Sequence, residues 1–311
     1  MFNEFFEKIF PGGAFNSNFK YIFKIFRITG IPGIFKIFKQ KHTVTILLFH
    51  DIGPKTADMI FTYLVNNYHI ISLKDFIEAH KHGNCSMLPD YAMIITFDDG
   101  FKGNYNLLDI INKYRLPVTC FLCSGIIDTN RHFWFKYQKL DGFKTFQLKK
   151  MTNGERLDTL EKEGFHPTTE YSDRQALSLH EITIMKDYID FQSHTKFHPC
   201  LPKCSDSEAK NEIFESKTQL ERLLNKQIFA ISYPNGDYSA REIALCKQAG
   251  YECGITVDYG FNTLVTNPFA LKRLSVNDTD NLDEFIVKSS GLWAFLKNIE
   301  RKTKSFFGIG W

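Results

Sequence analysis

The chain has 311 residues, 43% hydrophobic and 23% charged, which is enough for a sizeable buried core. Its net charge of +3 is too mild to point to a nucleic-acid partner. Aromatic residues reach 15%, with 31 Phe, and a noticeable share of these lies at the chain ends.

Residues 1–42 form an aromatic and basic arm. Phe2, Phe5, Phe6, Phe10, Phe15, Phe19, Phe23, Phe26, Phe35 and Phe38 are interleaved with Lys20, Lys24, Arg27, Lys36, Lys39 and Lys41. The apolar spacing at Tyr21, Ile22, Ile25 and Phe26, and again at Ile34, Phe35, Ile37 and Phe38, suits helical turns broken by Gly30-Ile31-Pro32-Gly33. The apolar runs are too short and too often charged to span a bilayer or to serve as a secretory leader. Two readings stand: helices lying on an anionic membrane, or helices covering the fold.

Thr43 to Phe49 reads as a first buried strand ending in His50-Asp51. An imidazole at a strand end can bind substrate, act as an acid, or simply cap the structure. Residues 55–82 read as a helix, a short strand at His69-Ile70-Ile71-Ser72, and a second helix capped by Ser72 or Asp75.

The apolar run Ala92-Met93-Ile94-Ile95 leads into Thr96-Phe97-Asp98-Asp99-Gly100. Neighbouring side chains in a strand face opposite ways, so Asp98 and Asp99 share one mouth only where the strand ends and the backbone turns, which Gly100 allows. A helix over Asn106 to Ile111 then leads through Leu116-Pro117 to the strand Val118 to Leu122. This alternation of strand and helix is the pattern of an α/β barrel.

Residues 129–177 break the rhythm and read as an insertion over the site. Trp134 within it either contacts substrate with its ring face or anchors the insertion on the barrel. A helix resumes at Leu177-Ser178-Leu179, with Glu181 completing a capping box. After Tyr188-Ile189-Asp190-Phe191 comes Ser193-His194-Thr195-Lys196-Phe197-His198-Pro199, two imidazoles four residues apart, a spacing that suits one metal ion.

In this order and roughly a hundred residues apart, the Thr-Phe-Asp-Asp-Gly and Ser-His-Thr-x-x-His-Pro motifs resemble the polysaccharide deacetylases. These are also called the NodB-homology domain or carbohydrate esterase family four. The resemblance implies an irregular (β/α)7 barrel over residues 43–290, flanked by amphipathic helical extensions at 1–42 and 291–311. It also implies that Asp99, His194 and His198 hold a divalent metal, with zinc expected, while Asp98 acts as general base. The loop Ser232-Tyr233-Pro234-Asn235-Gly236, after the strand Ile228 to Ile231, is similar to the family's third motif. By that match the Asn235 backbone N–H holds the oxyanion and Tyr233 lines the pocket.

Two family features are missing. The third motif here lacks its Arg, and Arg273 is the candidate to reach Asp98 from a later strand. No His follows His198, so His50 is the candidate general acid.

The implied function is removal of an N-acetyl or N-formyl group from an amino sugar of a surface polysaccharide or lipid-linked precursor. Alternatives are an O-acetyl esterase, a catalytically silent sugar binder, and a membrane adaptor. The C-terminal stretch Gly291 to Trp311, with Trp293, Phe295, Lys297, Arg301, Lys302 and Lys304, repeats the basic aromatic theme and strengthens the anionic-membrane reading. The seven Cys form no secretory framework. With no leader expected, they fit a reducing cytoplasm, the protein being peripheral on the inner face of the membrane.

Overall fold

The computed structural model describes residues 18–137, 140 and 142–306. Its strands are β1 (Thr45–Phe49), β2 (His69–Ile70), β3 (Ala92–Phe97), β4 (Val118–Leu122), β5 (Ile189–Ser193), β6 (Ala230–Ser232), β7 (Cys253–Tyr259) and β8 (Leu271–Ser275). All of their pairings are parallel, and β1 pairs with β3 on one side and with β8 on the other, which closes a seven-stranded barrel. The short β2 shares one edge of β3 with β4: it pairs with Ala92 and Met93, and β4 takes over from Ile95. The expected (β/α)7 barrel is therefore the architecture of the protein.

Side-chain alternation divides the barrel into an inside and an outside. Ile46, Ile94, Phe121, Ala230, Cys253, Ile255 and Leu271 meet in one buried cluster, joined by Leu73, Phe76 and Ile77 of the helix Leu73–His82. The residues between them, among them Leu47, Phe49, Met93, Ile95, Phe97 and Cys120, pack outward against the helical layer. The same period carries the interior face from Ile94 to Thr96 and Asp98, from Ala230 to Ser232, and from Leu271 to Arg273. The interior is thus apolar at the strands' N-terminal end and polar at the C-terminal end.

The helices are α1 (Asn18–Ile28), α2 (Ile31–Gln40), α3 (Pro54–Asn67), α4 (Leu73–His82), α5 (Leu108–Tyr114), α6 (Gly142–Lys150), α7 (Asn153–Lys162), α8 (Leu179–Met185), α9 (Asp206–Leu224), α10 (Ala240–Gln248), α11 (Leu282–Ser289) and α12 (Leu292–Phe306). Ser72 with Asp75, and Ser178 with Glu181, form the capping boxes that open α4 and α8. The break in the N-terminal arm falls at Thr29-Gly30, where Gly30 has φ +71°, rather than across Gly30 to Gly33. Pro32 sits in the first turn of α2, where its missing N–H costs no hydrogen bond.

One face of the N-terminal arm covers the fold. Phe23 packs with Val287 and Leu292, Phe35 lies 5.3 Å from Phe295, and Arg27 reaches Asp283 at 2.5 Å. The aromatic residues expected to act from 1–17, and Phe307 and Trp311, lie outside the described residues. Among the described residues no helix is long and apolar enough to cross a membrane.

Phe121, fully buried in the barrel plug, gives the fold its test. Phe121→Ala is expected to lower the unfolding free energy by about 3–5 kcal/mol in urea titrations, and an unchanged midpoint would contradict the plug.

Candidate metal centre and active site

β3 continues one residue past Phe97, because the Asp98 N–H donates to Phe49 O at 2.9 Å. Asp98 therefore keeps the interior direction. Asp99 and Gly100 then both take positive φ, 71° and 70°, and this turn swings the Asp99 carboxylate round to the same mouth. A Cβ on Gly100 would meet Leu122 Cδ2 at 2.5 Å, so the turn requires glycine here.

The second motif is braced from behind. Glu212 of α9 accepts the N–H groups of Lys196 at 2.8 Å and Phe197 at 2.9 Å, and the Ser216 hydroxyl donates to Thr195 O at 3.0 Å. Thr195 and His198 take positive φ, 65° and 55°, within this loop. The result brings Nε2 of His194 and Nε2 of His198 each to 3.4 Å from Asp99 Oδ1. A tetrahedral ion with ligand bonds of about 2.1 Å holds its ligands about 3.4 Å apart.

Other details fit a cation at this point. Asp99 Oδ1 is buried with no hydrogen-bond partner. His194 Nδ1 lies 2.8 Å from Ser232 O, which can only accept, so Nδ1 carries a proton and Nε2 is the nitrogen turned to Asp99. Burial pushes the His198 imidazole down to about 3, against the pull of Asp99, so its ring is neutral at physiological pH. Two imidazoles and a carboxylate are a donor set for a divalent transition metal.

Asp98 is engaged elsewhere. Arg273 grips it with both arms, Nη1 donating to Oδ1 at 2.8 Å and Nη2 to Oδ2 at 2.7 Å. Ser232 Oγ accepts from Arg273 Nη2 at 3.0 Å and donates to Asp98 Oδ2 at 3.1 Å. Arg273 Nε donates to Thr256 O at 2.7 Å, and Nη1 also reaches Thr96 Oγ1 at 3.4 Å. All five guanidinium N–H groups are thereby used. Burial acts to raise the Asp98 pKa, but the charge and hydrogen bonds of Arg273 work against it and hold the carboxyl below the usual carboxylate range.

His50 stands at the end of β1, partly exposed. Its N–H donates to Asp278 Oδ1 at 2.9 Å, its carbonyl accepts from Asn104 Nδ2 at 2.8 Å, and its Nδ1 lies 3.3 Å from Asp278 Oδ2. Burial lowers its pKa, yet the Asp278 hydrogen bond and the negative field of Asp98 and Asp99 leave it raised.

The family model for polysaccharide deacetylases matches residues 87–254, just over half of the chain. The chain belongs to the polysaccharide deacetylase family. Among curated relatives, a putative polysaccharide deacetylase YxkH of Bacillus subtilis is 24% identical over 60% of this chain and 52% of its own length. The poly-beta-1,6-N-acetyl-D-glucosamine N-deacetylase of Escherichia coli K12 is 22% identical over 71% of this chain and 32% of its own. The chain thus spans about half or less of the length of these relatives.

Two solved structures share the deacetylase barrel. Streptococcus pyogenes deacetylase PplD in complex with acetate superposes with a TM-score of 0.59 at 20% identity, over 80% of this chain and 99% of that one. IcaB from Ammonifex degensii gives 0.57 at 14% identity, over 79% and 98%.

His50, Arg273 and Asp278 lie outside the matched segment of this deacetylase-family chain, yet barrel closure brings them to its motifs. Asn235, at φ 57°, sits beside the second motif, its Nδ2 3.5 Å from Cys200 Sγ. Of the two candidate substrate contacts, Tyr233 is corrected and Trp134 takes the second of its two readings. Tyr233 follows inward-facing Ser232, so alternation turns it outward; its hydroxyl donates to Phe269 O at 3.1 Å and its ring stacks on Tyr238. Trp134 is buried, donating from Nε1 to His198 O at 2.8 Å with the Arg156 guanidinium over its ring. It anchors the insertion, whose own cluster includes Tyr137, Leu148, Leu160 and Phe165, against the metal-side loop. Glu212, Ser232 and Asp278 were not expected from the sequence. The two-residue period after Ala230 is the signal that points to Ser232.

The Asp98–Arg273 pair is buried, so removing one partner strands a charge. Arg273→Met is expected to cost about 3–5 kcal/mol of stability, and Asp98→Asn with Arg273→Met clearly less than the sum of the single changes. Urea unfolding of the four proteins measures this, and additivity would contradict the pairing.

Proposed function

We propose that the protein is a metal-dependent hydrolase that removes the N-acetyl group from an amino sugar of a surface polysaccharide or lipid-linked glycan precursor. The observation that carries this reading is the division of two adjacent carboxylates: Asp99 faces the two imidazoles, while Asp98 is turned onto Arg273. Asp99, His194 and His198 would hold a divalent ion, zinc by the donor set, which would supply a Lewis acid and lower the pKa of water from 15.7 toward about 7.

Asp98 receives the proton of the attacking water. Arg273 and Ser232 fill three of its roughly four lone-pair positions and leave one on Oδ1. Held below the usual carboxylate range, Asp98 stays ionised and free to accept a proton there. Arg273 fixes the angle of the remaining lone pair.

The Asn235 N–H is the proposed donor to the oxyanion that forms when water adds to the amide carbon, a contact worth about 3 kcal/mol or on the order of 100-fold in rate. His50, kept protonated further toward neutral pH by Asp278, gives its proton to the leaving nitrogen. As the C–N bond breaks, the sugar departs as an amine and the acyl group leaves as acetate carrying the water's oxygen. The name of the Escherichia coli relative, an N-deacetylase of an N-acetylglucosamine polymer, supports the amide over the ester reading.

Acetate and formate release from N-acetylated, N-formylated and O-acetylated sugars, free and lipid-linked, tests the proposal. Asp98→Asn is expected to lower amide turnover about 10²–10⁴-fold, and chelation to abolish it. Release from esters alone would make the protein an esterase. Metal bound without any product would make it a silent binder.

The His50 role predicts an alkaline limb in kcat/KM, because the protonated imidazole is the active form and is lost as pH rises through its raised pKa. In His50→Asn that limb should vanish and amide turnover fall more than ester turnover, since an alkoxide needs less help to leave. An unchanged pH profile would remove His50 from the mechanism.

A further inference from the structure

The helices α1 and α2 are apolar on two faces. One face of each is accounted for: Ile22 and Phe23 of α1 are buried, Phe23 against α11 and α12, and Pro32 and Gln40 of α2 are buried. Among the described residues, nothing covers the other face. Tyr21, Ile25 and Ile28 recur at i, i+4 and i+7 along α1, and Ile34, Ile37 and Phe38 at i, i+3 and i+4 along α2. These six lie between 54% and 80% exposed. A surface helix normally turns charge, not a second apolar row, toward water.

The charges that α1 and α2 themselves carry are of one sign. From Asn18 to Lys41 the sequence holds Lys20, Lys24, Arg27, Lys36, Lys39 and Lys41 and no acidic residue. Arg27 is committed to Asp283, and Lys36 to Asn67 O and the rings of Tyr68 and Tyr91. Lys24, Lys39 and Lys41 are exposed.

We infer that α1 and α2 dock the protein on an anionic lipid surface, with Tyr21, Ile25, Ile28, Ile34, Ile37 and Phe38 entering the acyl boundary and Lys24, Lys39 and Lys41 lying among the headgroups. A second protein copy would bring the same basic residues to face themselves, whereas an anionic bilayer offers both an apolar depth and a complementary charge. The inference is independent of the chemistry at the metal centre. It implies that the packed face of each helix serves as a rigid mount, so the contact needs no refolding.

Flotation of the full chain with phosphatidylcholine vesicles, with and without phosphatidylglycerol, tests it. The protein should float with the anionic vesicles and stay behind with the neutral ones. Ala at Lys24, Lys39 or Lys41 should weaken partitioning about fivefold each, and Ile34→Asp with Phe38→Asp on the order of 100-fold or more. Because these two side chains face solvent, that double variant should keep its Tm, its metal content and its turnover of a soluble substrate. Equal binding to both vesicle types, or anionic binding that the double variant retains, would overturn the inference. So would a double variant that loses several degrees of Tm, which would place another part of the chain on this face, or one that abolishes a dimer found without lipid.

Discussion

A guanidinium buried in the barrel ties the active end of this protein together. Arg273 reaches from β8 to Asp98 after β3, to Ser232 at the end of β6 and to the Thr256 carbonyl of β7, with no N–H left over. Two opposite charges at 2.7 Å would each cost several kcal/mol to bury alone. Together they fix strand ends that are distant in sequence, 175 residues apart for the pair itself. The apolar plug of Ile46, Ile94, Phe121 and Leu271 beneath them sets the depth at which the interior turns from apolar to polar.

That pairing also separates two neighbouring carboxylates that share one opening. If both were free they would compete for the same cation, and their repulsion would raise one of the two pKa values. Arg273 holds Asp98 ionised on its own side, and the positive φ of Asp99 turns the second carboxylate toward His194 and His198. The imidazoles are prepared as well: His194 by its hydrogen bond to Ser232 O, His198 by burial. Ser232 serves both halves, its carbonyl orienting a proposed ligand and its hydroxyl bridging Asp98 to Arg273.

Much of this was legible in the sequence because strand period and strand end are local properties. Asp98 and Asp99 end a largely apolar run, His194 directly follows the strand Ile189–Ser193 with His198 four residues on, and Arg273 shares a face with Leu271. Tyr233 was misjudged by one step of the same alternation: the strand runs to Ser232, and that serine takes the inward place. Trp134 belongs to an insertion whose small core forms only when Leu148, Leu160 and Phe165 come together, which no short pattern reveals. Asp278 depends on two successive left-handed residues, Asn277 and Asp278, and Glu212 on how α9 lies behind the histidine loop. Those are tertiary facts.

The central claim is that Asp99, His194 and His198 alone hold the ion while Asp98 and Arg273 stand beside it. Metal content by mass spectrometry, on protein loaded with zinc and desalted, tests it most directly. The account predicts about one ion per chain in the parent and in Asp98→Asn, and loss of the ion in Asp99→Ala, His194→Ala and His198→Ala. Loss of zinc in Asp98→Asn with the fold intact, or its retention when His194 and His198 are both replaced, would contradict it.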